Sequence, residues 1–225
     1  LINNEPETHR VLKDSTAFLL TDAMSDSMEA NRKFGSSINS TSTRAKIANM
    51  SSAGKSGTTS KNNDIWFVGY TPYFTAGIWA GCDWRKIMTR VHEGKEDPGF
   101  SVPDSVETAV ICRKSGKLAI PGVCDEDPRG DATYTEYFAK GSVPTDLCDV
   151  HVRATVCSIT GLLPNSGCPK STKIRLALPA DADSSTDDSA YAMPTRKCGG
   201  HTASTIAPAT DGAESGGPSS QTPET

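Results

Sequence analysis

Apolar residues recur at Ala17, Leu20, Ala23, Met24 and Met28, directly after Asp14-Ser15. This spacing predicts an amphipathic helix with Asp14 or Ser15 as its N-cap. Met24 and Met28 on that face are core residues rather than cofactor contacts. Residues 35–45, "GSSINSTSTRA", have no periodicity and are expected to be loop. Two aromatic and β-branched runs follow, "DIWFVGY" (64–70) and "YFTAGIWAG" (73–81), separated by Thr71-Pro72. They predict a β-hairpin. Trp84, Ile87, Met88 and Val91 then fall at i, i+3, i+4 and i+7, a second amphipathic helix with Asp83 as its candidate cap. The link through Cys82 is short, within the range such connections take.

Between loop and hairpin stands Ala53-Gly54-Lys55-Ser56-Gly57-Thr58-Thr59-Ser60. A phosphate-binding loop ends in Gly-Lys-Ser, but it needs a glycine five positions before Gly54 and a helix after it. Asn49 occupies that position, and strands follow. The alternative is a strand edge offering a cation, a hydroxyl and a residue without a side chain, against which an extended peptide can lie. Lys-Thr-Gly is the third motif of penicillin-binding proteins and serine β-lactamases. Residues 53–81 closely resemble the third-motif strand and following hairpin of class A penicillin-binding proteins. The shared pattern is Gly-Lys-Ser/Thr-Gly-Thr-Thr, then Asp-x-Trp-Phe-x-Gly-Tyr-Thr-Pro.

The resemblance implies an α+β fold: part of a transpeptidase domain of the penicillin-binding and serine β-lactamase type, an antiparallel sheet with packed helices. It implies that Lys55 positions substrate and tunes the catalytic serine. Ser56, Gly57 and Thr58 would take the terminal carboxylate of a peptidoglycan stem peptide ending in D-Ala-D-Ala, or of a β-lactam. The Thr58 backbone N–H would supply half of an oxyanion hole. The implied protein is a peptidoglycan glycosyltransferase and D,D-transpeptidase on the extracytoplasmic face of a bacterial membrane, without a cofactor. The family's Ser-x-x-Lys and Ser-x-Asn are expected upstream of Leu1, with the membrane anchor. Ser52-Ala53-Gly54-Lys55 is a coincidence, because its lysine is the third-motif lysine itself. Ser37-Ile38-Asn39 stands too close to Lys55 to serve. The chain alone is therefore expected to be inactive. Alternatives are a non-catalytic wall-binding module and, less well supported by the hairpin, a serine β-lactamase.

Beyond Gly94 the pattern changes. "VICRKSGKLAIPGVCDEDP" (110–128) and "TVCSITGLLPNSGCPKS" (155–171) are two copies of one motif: Cys, Ser/Thr-Gly three and four positions on, Leu, and a second Cys. "YFAKGSVPTDLCDVH" between them resembles the segment after the transpeptidase domain in these proteins. Each Ser/Thr-Gly is expected to turn a short hairpin. Seven cysteines and an extracytoplasmic setting favour disulfides, Cys112–Cys124 and Cys157–Cys168, with Cys124–Cys148 as an alternative. Zinc is the rival, since Cys148-Asp149-Val150-His151 is a Cys-x-x-His; only one such doublet is recognised, and no metal site is expected. Cys82 and Cys198 have no evident partners, and His9, His92, His151 and His201 are assigned to surfaces or helix ends.

Composition adds limits. A net charge of −4 gives no reason to expect nucleic acid, and no run of about 18 apolar residues exists. From Pro179 the chain is Ser, Thr, Ala, Asp, Gly and Pro, too poor in apolar surface to order itself. The expected division is 1–94, 95–178 and a disordered 179–225.

Overall fold

The computed structural model describes residues 8–29, 40–59, 65–79, 83–179 and 187–201. Ser37-Ile38-Asn39 and Cys82 lie outside the described residues. The chain divides into two compact units, Leu1–His151 and Val152–Thr225. The boundary therefore falls after the first cysteine motif rather than at residue 94, and the expected 95–178 extension is split between the units.

In the first unit, helix α1 spans Asp14–Asp26. Strands β1 (Ala53–Thr58), β2 (Ile65–Tyr70) and β3 (Thr75–Trp79) form one antiparallel sheet in that order. Helix α2 covers Trp84–Val91. Strands β4 (Val106–Cys112) and β5 (Thr133–Ala139) pair as a second, two-stranded sheet. Strands β6 (His151–Cys157), which begins at the last residue of the first unit, and β7 (Lys170–Leu176) form a two-stranded sheet, and a 3-10 turn follows at Asp187–Tyr191. No described helix is long and apolar enough to cross a membrane.

Alternation along β2 sends Phe67 and Gly69 to one face and Trp66 and Val68 to the other. Phe67 is buried with Met28, Ile47, Met50, Trp84 and Met88, which together make the core beneath the sheet. The opposite face presents Trp66 and Trp79, cross-strand partners whose rings stack 6.3 Å apart. Gly69 lies where a Cβ would come within 2.7 Å of the Trp84 ring, so helix α2 approaches the strand closely there.

Trp84 is fully buried, its ring edge-on to Phe67 at 5.1 Å, and its indole N–H donates to the Ala76 carbonyl (3.0 Å). Of the four apolar residues that predicted α2, Trp84 and Met88 face the core, whereas Ile87 and Val91 stay exposed. Trp84→Ala is expected to cost about 3–5 kcal/mol, the range for removing a large buried aromatic. Urea unfolding should show a lower midpoint at unchanged slope; a midpoint within error of the parent would contradict the packing.

The Thr71-Pro72 turn is locked from two sides. The Thr71 hydroxyl accepts the N–H groups of Tyr73 and Phe74 (3.2 and 3.1 Å). It also meets His92 Nε2 at 2.9 Å, while His92 Nδ1 lies 2.6 Å from the Met88 carbonyl. A carbonyl only accepts, so Nδ1 carries the proton and Nε2 accepts from Thr71. His92 thus ends α2 and ties it to the hairpin, the helix-end role its position implied.

Helix α1 departs from expectation at its start. Lys13, not Asp14 or Ser15, is the N-cap, and no side chain caps it; Asp14 is the first helical residue and pairs with Arg10. Its buried residues are Ser15 and Phe18, with Leu20 exposed. Phe18 meets the Tyr137 ring at 5.0 Å and Thr21 bonds the Tyr70 hydroxyl at 2.9 Å, so the packed face lies nearer Phe18 than the Leu20 stripe.

Candidate functional sites

The Lys-Ser-Gly segment is β1, which among the described residues is an edge strand paired through Ala53–Thr58 with β2 only. The Gly54 carbonyl accepts the Ser27 hydroxyl at 3.0 Å, on the side away from β2. Main-chain groups alternate between the two edges of a strand, so Ser56 and Thr58 turn theirs the same way as Gly54. Lys55 is exposed, and its Nζ donates to the Ser56 carbonyl (2.8 Å) and lies 3.4 Å from the Ser56 hydroxyl. The Ser56 hydroxyl in turn donates to Thr41 Oγ1 at 3.1 Å.

Two glycines here have different reasons. A Cβ on Gly54 would reach 2.7 Å from Phe67 and 2.9 Å from the Val68 carbonyl, so the core itself forbids a side chain. On exposed Gly57 a Cβ would meet only the Trp66 Cβ, at an ordinary 3.6 Å. Among the described residues nothing requires glycine at 57; the open edge beside it is what a bare backbone serves.

Ser52 is buried at the foot of β1, and the preceding Ser51 is held by Asp97, which accepts its N–H and its hydroxyl at 2.8 Å each. In extended chain, residues three apart point to opposite faces. Ser52 and Lys55 therefore lack the single helical turn that lets a Ser-x-x-Lys serine face its lysine.

The cysteines and two of the histidines form two clusters. Cys112, Cys124, Cys148 and His151 place their ligand atoms all within 4.8 Å of one another, and so do Cys157, Cys168, Cys198 and His201. The six cysteines of the two clusters are free and buried. Cys112 and Cys124 do meet, as do Cys157 and Cys168, but each expected pair is joined by a third cysteine and an imidazole. Nor are His151 and His201 the scattered surface residues expected from sequence.

Local backbone order builds both clusters alike. Cys112 and Cys157 open equivalent turns: Cys112 N–H bonds the Lys117 carbonyl and Cys157 N–H that of Leu162, both at 2.8 Å. Gly116 and Gly161 close these turns at φ 69° and 71°, a left-handed conformation that favours glycine. The following leucine then catches the distant third cysteine. Cys148 N–H donates to the Leu118 carbonyl and Cys198 N–H to the Leu163 carbonyl, each at 2.8 Å.

In the first cluster His151 Nδ1 lies 3.3 Å from Cys112 Sγ and 3.4 Å from Cys148 Sγ. Its Nε2 is 2.6 Å from Asp127 Oδ2, and both side chains are buried. Lys114 stands 3.5 Å from the same carboxylate oxygen. In the second cluster His201 Nε2 lies 2.9 Å from Cys157 Sγ and 3.2 Å from Cys198 Sγ. Amide donors approach the sulfurs in both: Ile120 to Cys124 (3.2 Å) and Asn165 to Cys168 (3.4 Å). Burial, with the neighbouring Cys148 and Cys112, pushes the Cys124 thiol up to about 12. Burial also opposes ionisation of Cys148, but hydrogen bonds from Ser115 and His151 bring it down to about 6.

One sequence signal for the second cluster went unrecognised. Cys198-Gly199-Gly200-His201 is another Cys-x-x-His, matching Cys148-Asp149-Val150-His151. It lies inside the segment expected to be disordered; residues 187–201 are instead described, with Cys198 buried.

The family described as "Penicillin-binding protein 1A, C-terminal domain" matches residues 102–153. Penicillin-binding protein 1A of Clostridium botulinum is 32% identical over 185 residues, covering 75% of this chain and 21% of the relative. Penicillin-binding protein 2D of Bacillus subtilis is 27% identical over 168 residues, covering 66% of this chain and 22% of the relative. The crystal structure of penicillin-binding protein 1A from Haemophilus influenzae aligns over 62% of this chain and 22% of that one, with a TM-score of 0.50 at 20% identity, a likeness of fold. The chain belongs to the class A penicillin-binding proteins. Within that class its matches carry the name penicillin-binding protein 1A most often, and it spans about a fifth of their length.

Proposed function

We propose that this chain supplies the Lys-Ser-Gly wall of a D,D-transpeptidase site in an extracytoplasmic peptidoglycan synthase. The observation that carries this reading is the open edge of β1, with Lys55 and Ser56 together and Gly57 glycine for no internal reason. A stem peptide laid along that edge gains main-chain hydrogen bonds as an added strand. The Lys55 ammonium and the hydroxyls of Ser56 and Thr58 take its terminal carboxylate. The Thr58 N–H, on the open edge, donates to the oxygen of the scissile carbonyl as it gains negative charge. The attacking serine hydroxyl is expected from a Ser-x-x-Lys helix upstream. Its attack expels the terminal D-Ala and forms an acyl ester. An amine of a second stem peptide then displaces the serine and closes the cross-link. A β-lactam presents a carboxylate and an acyl group to the same wall, and ring opening leaves it on the serine.

The test uses a protein that joins this chain to its upstream Ser-x-x-Lys and Ser-x-Asn. Lys55→Ala should slow acylation by a fluorescent penicillin on the order of 100-fold or more, the scale for losing one aligned electrostatic group. Acylation within twofold of the parent, in a variant with unchanged thermal unfolding, would remove Lys55 from the site.

A further inference from the structure

We propose that Cys112, Cys124, Cys148 and His151 form one tetrahedral zinc site, and Cys157, Cys168, Cys198 and His201 a second. Three thiols and an imidazole, converging twice in one chain, are the donor set of a closed structural zinc site. Bond lengths of about 2.3 Å to sulfur and 2.0–2.1 Å to nitrogen put ligand atoms roughly 3.5–3.8 Å apart around the metal. Both clusters already hold all four atoms within 4.8 Å, with sulfur–nitrogen separations of 2.9–3.4 Å. Shifts of about 1 Å or less complete the tetrahedra. The ligand atoms are too closely set to surround a cluster of several metals.

Disulfides do not account for this arrangement. Each cluster has three cysteines, so a bridge within it leaves one thiol over, and a bridge gives no reason for an imidazole facing two sulfurs. The orientation of His151 is a separate observation. Buried Asp127 accepts from Nε2, which places the proton there and leaves the Nδ1 lone pair aimed at the sulfurs. A carboxylate behind a ligating histidine is the usual outer support of a metal site. The amide N–H groups of Ile120 and Asn165 point at the sulfurs of Cys124 and Cys168, donors of the kind that surround a ligating sulfur. The sites are also repeats. Each runs Cys, Cys, Cys-x-x-His, with 11 and 23 residues between the cysteines of the first and 10 and 29 in the second. One unit of fold with one donor set has been used twice.

Elemental analysis of the 225-residue chain, expressed with zinc and purified under reducing conditions without chelator, should give about two zinc per chain. His151→Ala and His201→Ala should each leave one. Cobalt substituted for zinc should show the thiolate charge-transfer and intense visible bands of a tetrahedral sulfur-rich site. Asp127→Asn alters no ligand and should keep two zinc, while weakening the first site on the order of 10–100-fold in a competition titration. The second site should be unaffected by that change. Zinc no higher than in a chain with the six clustered cysteines replaced by serine would overturn the proposal. So would bound iron with acid-labile sulfide, or Cys112–Cys124 and Cys157–Cys168 disulfides in metal-free chain that keeps its circular dichroism.

Discussion

A strong chelator added to the reduced chain should melt both cysteine modules and leave the sheet of β1–β3 in place. The apolar packing of the modules is slight. Their buried clusters are Cys112, Cys124 and Cys148 with Ala119, Ile120 and Val150 packed against them, and Cys157, Cys168 and Cys198 with Leu162. Each contains a two-stranded sheet, and a lone two-stranded hairpin is marginal in water. Structural zinc contributes about 10–16 kcal/mol per site at neutral pH in small domains, more than a module of this size gains from apolar burial. Hydrogen exchange should therefore show protection lost over 106–112 and 151–157 on chelation and regained when zinc returns. Residues 65–70 should change little, because Phe67 packs against Met28, Ile47, Met50, Trp84 and Met88, with no cysteine among them. Undiminished protection of both modules in excess chelator would show that they fold without metal.

The second large effect concerns covalent chemistry. The 225-residue chain alone should take up no fluorescent penicillin. On the function proposed for β1 it would supply carboxylate recognition and one oxyanion donor, but Ser52 is buried at the foot of an extended strand and faces away from Lys55. Removing the nucleophile of a serine enzyme costs about a millionfold in turnover, far beyond what binding residues restore. Gel fluorescence after long incubation measures this directly. A labelled peptide containing Ser52 would establish Ser-Ala-Gly-Lys as the working motif and displace the reading of β1 as a third-motif strand.

These two results are independent of one another. Chelation tests the cysteine modules and says nothing of Lys55; penicillin labelling tests the strand edge and is indifferent to zinc.

The sequence alone determined what depends on neighbours in the chain. Alternation and the Thr71-Pro72 break placed β2 and β3, since side-chain period and turn chemistry are local. Lys55-Ser56-Gly57 was placed on a strand for the same reason, and Trp84 and Met88 carried the signal of α2. The N-cap of α1 was missed because Arg10 engages Asp14, a contact that propensity does not register. Only the tertiary structure decided the fate of the cysteines. A local motif suggested pairing Cys112 with Cys124, but the third cysteine arrives 24 residues later through the backbone bond of Cys148 to Leu118. In the second cluster the corresponding bond joins Cys198 to Leu163. Composition argued against order beyond Pro179 because it counts apolar burial alone. Thiol and imidazole ligands order a chain by another energy, which hydropathy omits, and under the zinc proposal Cys198 and His201 tie residues 187–201 to their module.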